Sequence, residues 1–244
     1  MIYYTGDIHS NPTTLISFFN KVEPSEDDVI ILLGDVGANY YGGKKDARLK
    51  YILNSLSCTI LCVHGNHEKR PQSISTYKMK EWNGGIVFYE DEYPHLLFAK
   101  DGEIYDIDGI KHLAIGGAYS VDKYYRLAKG WSWFEDEQPS DEIKHYVEKQ
   151  IAEKDFDVVI SHTCPYKYEP MEVYLASIDQ STVDKSTELW LDEIEDKIKY
   201  KAWFCGHWHT DRKKDKMHFL YQSFESSDQF MLEDSEKPTP LSNS

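Results

Sequence analysis

The sequence is poor in cysteine, and the positions of its few cysteines exclude a zinc knuckle. It contains four cysteines among 244 residues, all in or beside predicted strands. Cys58 and Cys62 are close in sequence, but on a strand their side chains would lie about 13 Å apart, too far for one metal ion. We therefore expect reduced, buried thiols at all four positions. These are Cys58, Cys62, Cys164 and Cys205.

Long apolar stretches are also missing. No apolar run approaches the roughly 20 residues that a membrane-spanning helix needs. The chain enters its first apolar run at Ile2, with no basic region and no cleavage site ahead of it, so no export signal is indicated. These absences predict a cytoplasmic protein without a membrane partner.

Positive charge is scarce. The chain has 27 Lys and Arg residues against 42 Asp and Glu residues, which gives a formal net charge of −15. Such a balance repels a polyanion and provides no basic surface, so we expect no nonspecific nucleic-acid binding. A small phosphorylated substrate is still compatible with this charge, because a metal centre would add local positive charge.

The chain also lacks an internal linker rich in Pro, Gly or Ser. Hydrophobic residues make up 41% and aromatic residues 14% of the sequence, which is enough apolar surface for a sizeable core. We predict one domain over residues 1–232. Residues 233–244, which are rich in Ser, Pro and charge, are predicted to form a flexible tail.

What the sequence does contain is five short polar blocks, each placed directly after an apolar run. The runs are short, partly β-branched and bounded by glycine, which is typical of buried strands. Ligands bind at the carboxyl ends of the strands in open α/β sheets, so the five blocks are expected to converge on one site. The blocks are Gly6-Asp7-Ile8-His9, Gly34-Asp35, Gly65-Asn66-His67-Glu68, Ser161-His162 and Gly206-His207-Trp208-His209.

The apolar pattern predicts alternating strands and helices, with a change in the middle of the chain. Helices are predicted over residues 11–21, 44–56, 141–154 and 187–199. Strands are predicted over residues 2–5, 29–33, 59–63, 86–89, 96–99, 103–107, 110–115, 158–160 and 202–205. The four strands from residue 86 to residue 115 are expected to open a second, partly antiparallel sheet. Residues 217–223 and 229–232 are expected to form a closing hairpin. The predicted fold class is α/β, a four-layer α/β/β/α sandwich of two mixed sheets flanked by helices.

Residues 119–138 form an unusual segment in which aromatic and charged side chains crowd together. It contains Tyr124-Tyr125-Arg126 and Trp131-Ser132-Trp133-Phe134. Two interpretations stay open: a lid over the site, or an insertion that packs on its own aromatic side chains. Its aromatic residues would equally suit a dimer surface, so the oligomeric state is left open.

The residue types in the blocks point to a pair of divalent metal ions. Carboxylate, imidazole and carboxamide ligands without thiolates suit Mn, Fe or Zn better than a soft metal. On a strand, Asp7 and His9 share a face and can reach the same ion, as can His207 and His209. Asp35 is a natural bridge between two cations about 3.5–4 Å apart. A single histidine would more often be structural, but the whole set favours a metal site.

The blocks resemble, in type and order, the pattern of the calcineurin-like metallophosphoesterase superfamily, and in texture its bacterial and phage-encoded members. That pattern is D-x-H, G-D, G-N-H-[DE], a lone His and G-H-x-H, here within residues 2–232. The resemblance implies a dinuclear-metal-dependent phosphoesterase that binds two divalent ions, Mn²⁺ with Fe or Zn as alternatives. It also implies direct attack on phosphorus by a metal-bridging hydroxide, without a phosphoenzyme. The implied ligands are Asp7, His9 and His209 for one metal, Asn66, His162 and His207 for the other, with Asp35 bridging both and His67 as the catalytic imidazole.

Two positions depart from the Ser/Thr protein phosphatase branch of that superfamily. Where that branch has an Asp that orients the acid histidine and an Arg that grips phosphate, this sequence has Ala38 and Asn39. The departure weakens an interpretation as a protein phosphatase. Arg126 is the first candidate for the phosphate contact and Arg70 the second.

Several activities share this ligand pattern and stay open as alternatives. The blocks do not select phosphate monoesters over diesters, so a nuclease or a cyclic-nucleotide phosphodiesterase is an alternative to a phosphatase. The aromatic cluster at 131–134 would suit base stacking, but the acidic residues at 135–137 argue against a polyanion. A non-catalytic scaffold of the same fold is a further alternative, which the complete ligand set disfavours.

Overall fold

The computed structural model describes residues 1–229 of the protein. Strands and helices alternate along this part of the chain, and the helices and strands predicted up to residue 205 all occur there, several with identical bounds. The strands are β1 (Ile2–Thr5), β2 (Val29–Leu32), β3 (Thr59–Cys62), β4 (Lys78–Trp82), β5 (Gly85–Tyr89), β6 (Leu96–Ala99), β7 (Ile104–Ile107), β8 (Ile110–Ile115), β9 (Val158–Ser161), β10 (Ala202–Cys205), β11 (Arg212–Lys214), β12 (Met217–Phe219) and β13 (Phe224–Ser226). The helices are α1 (Thr13–Val22), α2 (Lys44–Asn54), α3 (Lys123–Lys129), α4 (Asp141–Glu153) and α5 (Ser186–Glu195).

The strands form two mixed sheets. The first sheet has seven strands in the order β13-β1-β2-β3-β6-β5-β4, and the second has six in the order β11-β12-β10-β9-β8-β7. Central strands pair in parallel, whereas the outer pairs of each sheet are antiparallel. Every residue of β2, β9 and β10 is buried. Burial on both faces explains why these strands read as continuous apolar runs.

Three apolar layers hold the sheets and helices together. Between the sheets, the rings of Tyr4 on β1 and Phe204 on β10 stack with their centroids 4.0 Å apart. Leu15 of α1 packs with the outer face of the first sheet, together with side chains of α2. Val147 of α4 and Leu191 of α5 pack with the outer face of the second sheet. Each such buried side chain stabilises the fold by roughly 1.5–3 kcal/mol. The four-layer α/β/β/α sandwich of two mixed sheets is therefore confirmed.

The middle of the chain corrects one expectation. β5 and β6 extend the first sheet instead of opening the second, and only β7 and β8 belong to the second sheet. β4 was not predicted, because it is an edge strand with charged side chains and no buried residue. β7 and β8 are joined by a tight turn in which Asp108 and Gly109 have left-handed φ values of 51° and 79°, as a two-residue hairpin requires.

The predicted closing hairpin is wrong. β12 pairs with β10 and β11 in the second sheet, and the chain then crosses to the first sheet, where β13 pairs with β1. Gln229 is helical rather than extended. An apolar pattern identifies a strand but not the sheet edge that receives it, which explains the error. Residues 230–232 of the predicted hairpin and the predicted tail at 233–244 lie outside the described residues.

The cysteines are buried, as expected. All four are free thiols, and each has no exposed surface. Burial raises the pKa of Cys58 to about 11. Within residues 1–229, no helix is both long and apolar enough to cross a membrane.

Candidate metal centre

The polar blocks meet at one edge of the two sheets. β1, β2 and β3 are parallel neighbours in the first sheet, and β9 and β10 are parallel neighbours in the second. A hydrogen bond joins the sheets at this edge, where Nδ1 of His162 lies 2.8 Å from the carbonyl oxygen of Leu33. The side chains that follow all five strands therefore surround one place.

The backbone turns sharply where the blocks leave their strands. His9, Asp35, His207 and His209 have left-handed φ values of 43°, 48°, 66° and 47°. A side chain held in such a conformation costs roughly 1–3 kcal/mol, and these conformations cluster at functional sites. The fold accepts this strain at four positions whose side chains all point to the same centre.

Two glycines allow the blocks to approach one another. A Cβ atom on Gly65 would lie 2.1 Å from the backbone nitrogen of Asp35. One on Gly206 would lie 2.3 Å from Oδ1 of Asp7. Both distances are impossible for a real side chain, so any larger residue at either position would push a candidate ligand away from the centre.

Asp7, His9 and His209 form the more exposed half of the centre. The Nε2 atoms of His9 and His209 lie 2.8 Å apart. Oδ2 of Asp7 lies 3.1 Å from Nε2 of His209 and 3.9 Å from Nε2 of His9. Three donor atoms that lie within 4.8 Å of one another suit a single divalent cation.

Asn66, His162 and His207 form the buried half. Oδ1 of Asn66 lies 2.7 Å from Nε2 of His162 and 3.1 Å from Nδ1 of His207. The Asn66 amide nitrogen donates to Oγ of Ser120, and Nδ1 of His162 donates to the Leu33 carbonyl, which leaves Oδ1 and Nε2 facing the centre. Burial, and after it the charge of His162, lowers the pKa of His207 well below its ordinary value. His207 is therefore neutral, the form that binds metals.

Asp35 lies between the two halves. Its Oδ1 lies 3.5 Å from Nε2 of His162, and its Oδ2 lies 3.8 Å from Nε2 of His9. Burial alone would raise the pKa of this carboxyl, but the charges of the surrounding imidazoles, His162 first, lower it below its ordinary value. Asp35 is therefore an ionised carboxylate with one oxygen toward each half.

The donor set fits a pair of divalent cations. It combines two buried carboxylates, four imidazoles and one carboxamide, without a thiolate. Each half offers three donors, and Asp35 offers one oxygen to each. Ligands of these types suit Mn, Fe and Zn.

His67 lies at the rim of the centre, where α3 reaches it. The guanidinium of Arg126 donates to the imidazole, with Nη2 at 2.8 Å from Nε2. Arg126 is 5% exposed, and its Nε donates to both carboxylate oxygens of Asp122 at 2.8 Å. Oδ1 of Asp122 lies 3.9 Å from Nε2 of His67. Burial, with the charge of Arg126 as a smaller cause, lowers the pKa of His67.

The segment 119–138 thus brings the guanidinium of Arg126 and the carboxylate of Asp122 to His67. Ala38 and Asn39, at the positions where the protein phosphatase branch has its Asp and Arg, do not supply these groups. Oδ1 of Asn39 accepts a hydrogen bond of 2.9 Å from the Tyr77 hydroxyl. Arg70, the second candidate for a phosphate contact, is turned elsewhere. It pairs with Asp101 and donates to a backbone carbonyl of the 119–138 segment. Of the two arginines, only Arg126 contacts a residue of the centre.

Sequence reasoning missed two residues that shape the centre. Glu68 accepts hydrogen bonds from the backbone N–H groups of Val36, Gly37 and Gly65 at 3.2–3.4 Å, and so ties the second block to the third. Burial, and then the charge of Asp35, raises the pKa of Glu68 to about 7. The position of Glu68 at the end of the third block was the sequence feature that could have indicated its role. Asp122 had no signal, because only the fold of α3 brings it to His67.

Two of the cavities formed by residues 1–229 lie close to the polar blocks. One of about 350 Å³ is lined by five of the seven candidate ligands, by His67 and by residues of the segment 173–185. Its ligand residues are His9, Asp35, Asn66, His207 and His209. The other, of about 520 Å³, is lined by residues between 64 and 146 and by none of the seven.

Comparison with known proteins identifies the family. No curated protein matches this chain. The chain is similar to a solved protein of unknown function from Aquifex aeolicus, with 14% identity over 69% of this chain and 81% of that chain and a TM-score of 0.28. The model of the calcineurin-like phosphoesterase family matches residues 1–211, a span that contains all five polar blocks. The chain therefore belongs to the calcineurin-like phosphoesterase family, whose members are metal-dependent phosphoester hydrolases.

Proposed function

We propose that this protein is a dinuclear-metal-dependent phosphoesterase that hydrolyses a small phosphorylated substrate. The observation that carries the proposal is the placement of Asp35, with one carboxylate oxygen 3.8 Å from His9 and the other 3.5 Å from His162. A buried carboxylate between two clusters of ligands suits a bridge between two cations.

The seven candidate ligands would hold the two ions in two groups. Asp7, His9 and His209, the more exposed group, would bind one ion. Asn66, His162 and His207 would bind the buried ion, and Asp35 would contact both. We propose Mn²⁺ as the metal, with Fe and Zn as the alternatives that this donor set accepts. When bound, such a pair polarises the phosphate and lowers the pKa of an attacking water.

His67 is proposed to protonate the leaving oxygen or to stabilise the transition state. It lies at the rim of the centre and is close enough to His9 for their ring centroids to be 5.1 Å apart. In the structure Arg126 donates to His67, and burial, with the charge of Arg126 as a smaller cause, lowers the pKa of the imidazole. A substrate phosphate would compete for this guanidinium, because a forked cation binds an oxyanion more strongly than a neutral ring nitrogen. Arg126 would then hold phosphate, and Asp122 would be left facing His67.

The test compares two substrates with metal-stripped protein to which Mn²⁺ is returned. The substrates are p-nitrophenyl phosphate and bis-p-nitrophenyl phosphate, since the ligands by themselves do not select monoesters over diesters. Restored hydrolysis of either supports the proposal, and a marked preference for the diester would favour the phosphodiesterase alternative. Two metals bound with no hydrolysis of these or of other small esters would contradict it.

Asp35→Asn provides the matching variant. An amide replaces the bridging carboxylate with one oxygen and a nitrogen that cannot bind a cation, so both metals and nearly all turnover should be lost. The control is Asp27→Asn, because Asp27 is exposed and precedes the amino end of β2, whereas Asp35 follows the carboxyl end of that strand. Metal content is measured alongside hydrolysis. Full turnover of Asp35→Asn with two metals bound would remove the bridge from the proposal.

A further inference from the structure

The cavity of about 350 Å³ at the centre has room for more than a phosphate group. Beyond the candidate ligands and His67, most of its lining residues are aliphatic or aromatic. The segment 173–185 supplies several of them, including Val173, Leu175 and Ile178. An apolar wall of this kind would face the part of a substrate that is not phosphate.

The charges around the cavity argue against a second anionic group. Lys185 is the one lysine or arginine among the lining residues in the described part of the chain. Its Nζ lies 2.8 Å from Oε1 of Glu169, so its charge is already neutralised. It also covers the rings of Tyr174 and Trp208, at 5.0 Å and 5.5 Å from their centroids. These two rings lie 5.9 Å apart and nearly parallel, at 21°. The lining also holds the carboxyl groups of Asp122, Asp184 and Glu188, so the wall suits a planar group without negative charge.

Two buried polar atoms of the lining residues have no hydrogen-bond partner among residues 1–229. They are Oε2 of Glu188 and Nε1 of Trp208. Glu188 is 3% exposed, and its other carboxyl oxygen accepts a hydrogen bond of 2.9 Å from Thr163. Leaving such a group unpaired costs roughly 1–3 kcal/mol, so its presence beside a cavity indicates a partner that arrives with a ligand. Burial raises the pKa of Glu188 to about 7, so above that pH its carboxylate oxygen would accept a hydrogen bond, and the indole N–H of Trp208 would donate one.

We propose that this cavity, the leaving-group pocket, holds the alcohol part of the phosphate ester. The alcohol is a neutral aromatic group that carries a hydrogen-bond donor for Glu188 and a hydrogen-bond acceptor for Trp208. This inference rests on the proposed phosphoesterase function. In the reaction, water adds its oxygen to phosphorus, the bond between phosphorus and the alcohol oxygen breaks, and that oxygen takes a proton. The pocket would select the alcohol that leaves.

The test uses pairs of aryl phosphates that differ only in the donor. The first member of each pair is the ester of 3- or 4-hydroxybenzamide, which offers both an acceptor oxygen and N–H donors. The second is the ester of the corresponding hydroxyacetophenone, which has nearly the same shape but no donor. For at least one isomer, kcat/KM of the Mn²⁺-loaded protein should be about 10-fold higher for the amide, the scale of one hydrogen bond to a buried group. If the protein proves to be a diesterase, the methyl aryl diesters replace the monoesters.

Glu188→Gln tests which residue is responsible. The amide oxygen of the new side chain can still accept from Thr163, but an N–H group then replaces the unpaired oxygen acceptor. The ratio of kcat/KM for the amide ester to kcat/KM for the ketone ester should therefore fall to about 1. Glu193→Gln is the matched control, since Glu193 lies on the same helix with its side chain 69% exposed. A preference that survives in Glu188→Gln overturns the assignment.

A binding measurement separates this inference from the proposed function. Titration calorimetry of the Mn²⁺-loaded wild-type protein with the free hydroxybenzamides and hydroxyacetophenones needs no turnover. About 10-fold tighter binding of an amide supports the pocket even if no ester is hydrolysed. Hydrolysis of aryl esters with equal kcat/KM for amide and ketone, and equal binding of the free alcohols, overturns the pocket and leaves the phosphoesterase function standing.

Discussion

The buried imidazole of His112 should make the stability of the protein depend on pH. His112 lies on β8 with no exposed surface, in contact with the apolar layer between the sheets. Its Nδ1 is 2.8 Å from the carbonyl oxygen of Ile110, and its Nε2 is 2.7 Å from the hydroxyl of Tyr4. We assign the ring proton to Nδ1, which donates to the carbonyl, so Nε2 accepts from the hydroxyl. A second proton would remove that acceptor and place a charge in the core.

The size of the effect follows from the pKa of this residue. Burial lowers the pKa of His112 from 6.5 to about 4. The unfolded chain keeps the ordinary value, so between these two pH values it binds more protons than the folded chain does, and the free energy of unfolding falls as the pH falls. At roughly 1.36 kcal/mol per pH unit the total loss is about 3 kcal/mol. The contribution is intact above pH 7 and is lost by about pH 4, a large change against a typical stability of about 5–15 kcal/mol.

Urea unfolding of the wild-type protein and of His112→Gln between pH 4 and pH 8 measures this contribution. Glutamine cannot titrate, so the difference between the two proteins isolates the histidine from every other titrating group. The wild type should be the more stable protein at pH 8, and its advantage should shrink by about 3 kcal/mol toward pH 4. His145→Gln, at an exposed histidine of α4, should leave the pH profile unchanged. A difference between wild type and His112→Gln that stays constant over this range would refute the reasoning.

Three further predictions concern the centre. His67→Ala should keep both metals yet slow hydrolysis by about 100-fold, and less for esters with good leaving groups; equal losses for all leaving groups would contradict a role as acid. Arg126→Lys should raise KM by about 10-fold with metal content unchanged, because lysine cannot make the forked contacts of a guanidinium. An unchanged KM would exclude Arg126 from phosphate binding. Glu68→Gln should lower the free energy of unfolding by about 1–3 kcal/mol, since an amide has one acceptor oxygen for three backbone N–H groups. If Glu68→Gln has the same free energy of unfolding in urea as the wild type, the Glu68 carboxylate does not join the second and third blocks.

The strands that lead to the centre could be predicted almost to the residue. Five strands lead to the centre, and they are buried on both faces and end at glycine or at polar residues. Neighbouring residues in the sequence therefore indicate both where each strand lies and where it ends. These strands are β1, β2, β3, β9 and β10. The candidate ligands follow those ends directly, and for this reason the order of residues alone is enough to propose them. The destination of a strand is not local, which is why β5 and β6 were expected in the second sheet and β13 was not expected to join β1.

The surroundings of the centre could not be predicted in the same way. Asp122 reaches His67 only because α3 folds back over the centre, and Glu188 meets the cavity only because α5 follows a segment of short turns. Neither residue follows a buried strand, and each would read in sequence as an ordinary charge on a helix. Contacts between distant parts of the chain determine both positions, and a pattern of neighbouring residues carries no information about them.

The seven candidate ligands are divided between the two sheets. Asp7, His9, Asp35 and Asn66 follow strands of the first sheet, whereas the three remaining histidines follow strands of the second. Ions held by both groups would cross-link the two sheets at this edge of the sandwich and would oppose their separation there. Binding of the metals should then raise the resistance of the whole protein to unfolding by force and by heat. A ligand present at 100 times its dissociation constant adds about 2.7 kcal/mol to the free energy of unfolding. A shortage of metal in the cell would thus shorten the lifetime of the folded chain and also abolish its proposed hydrolytic activity.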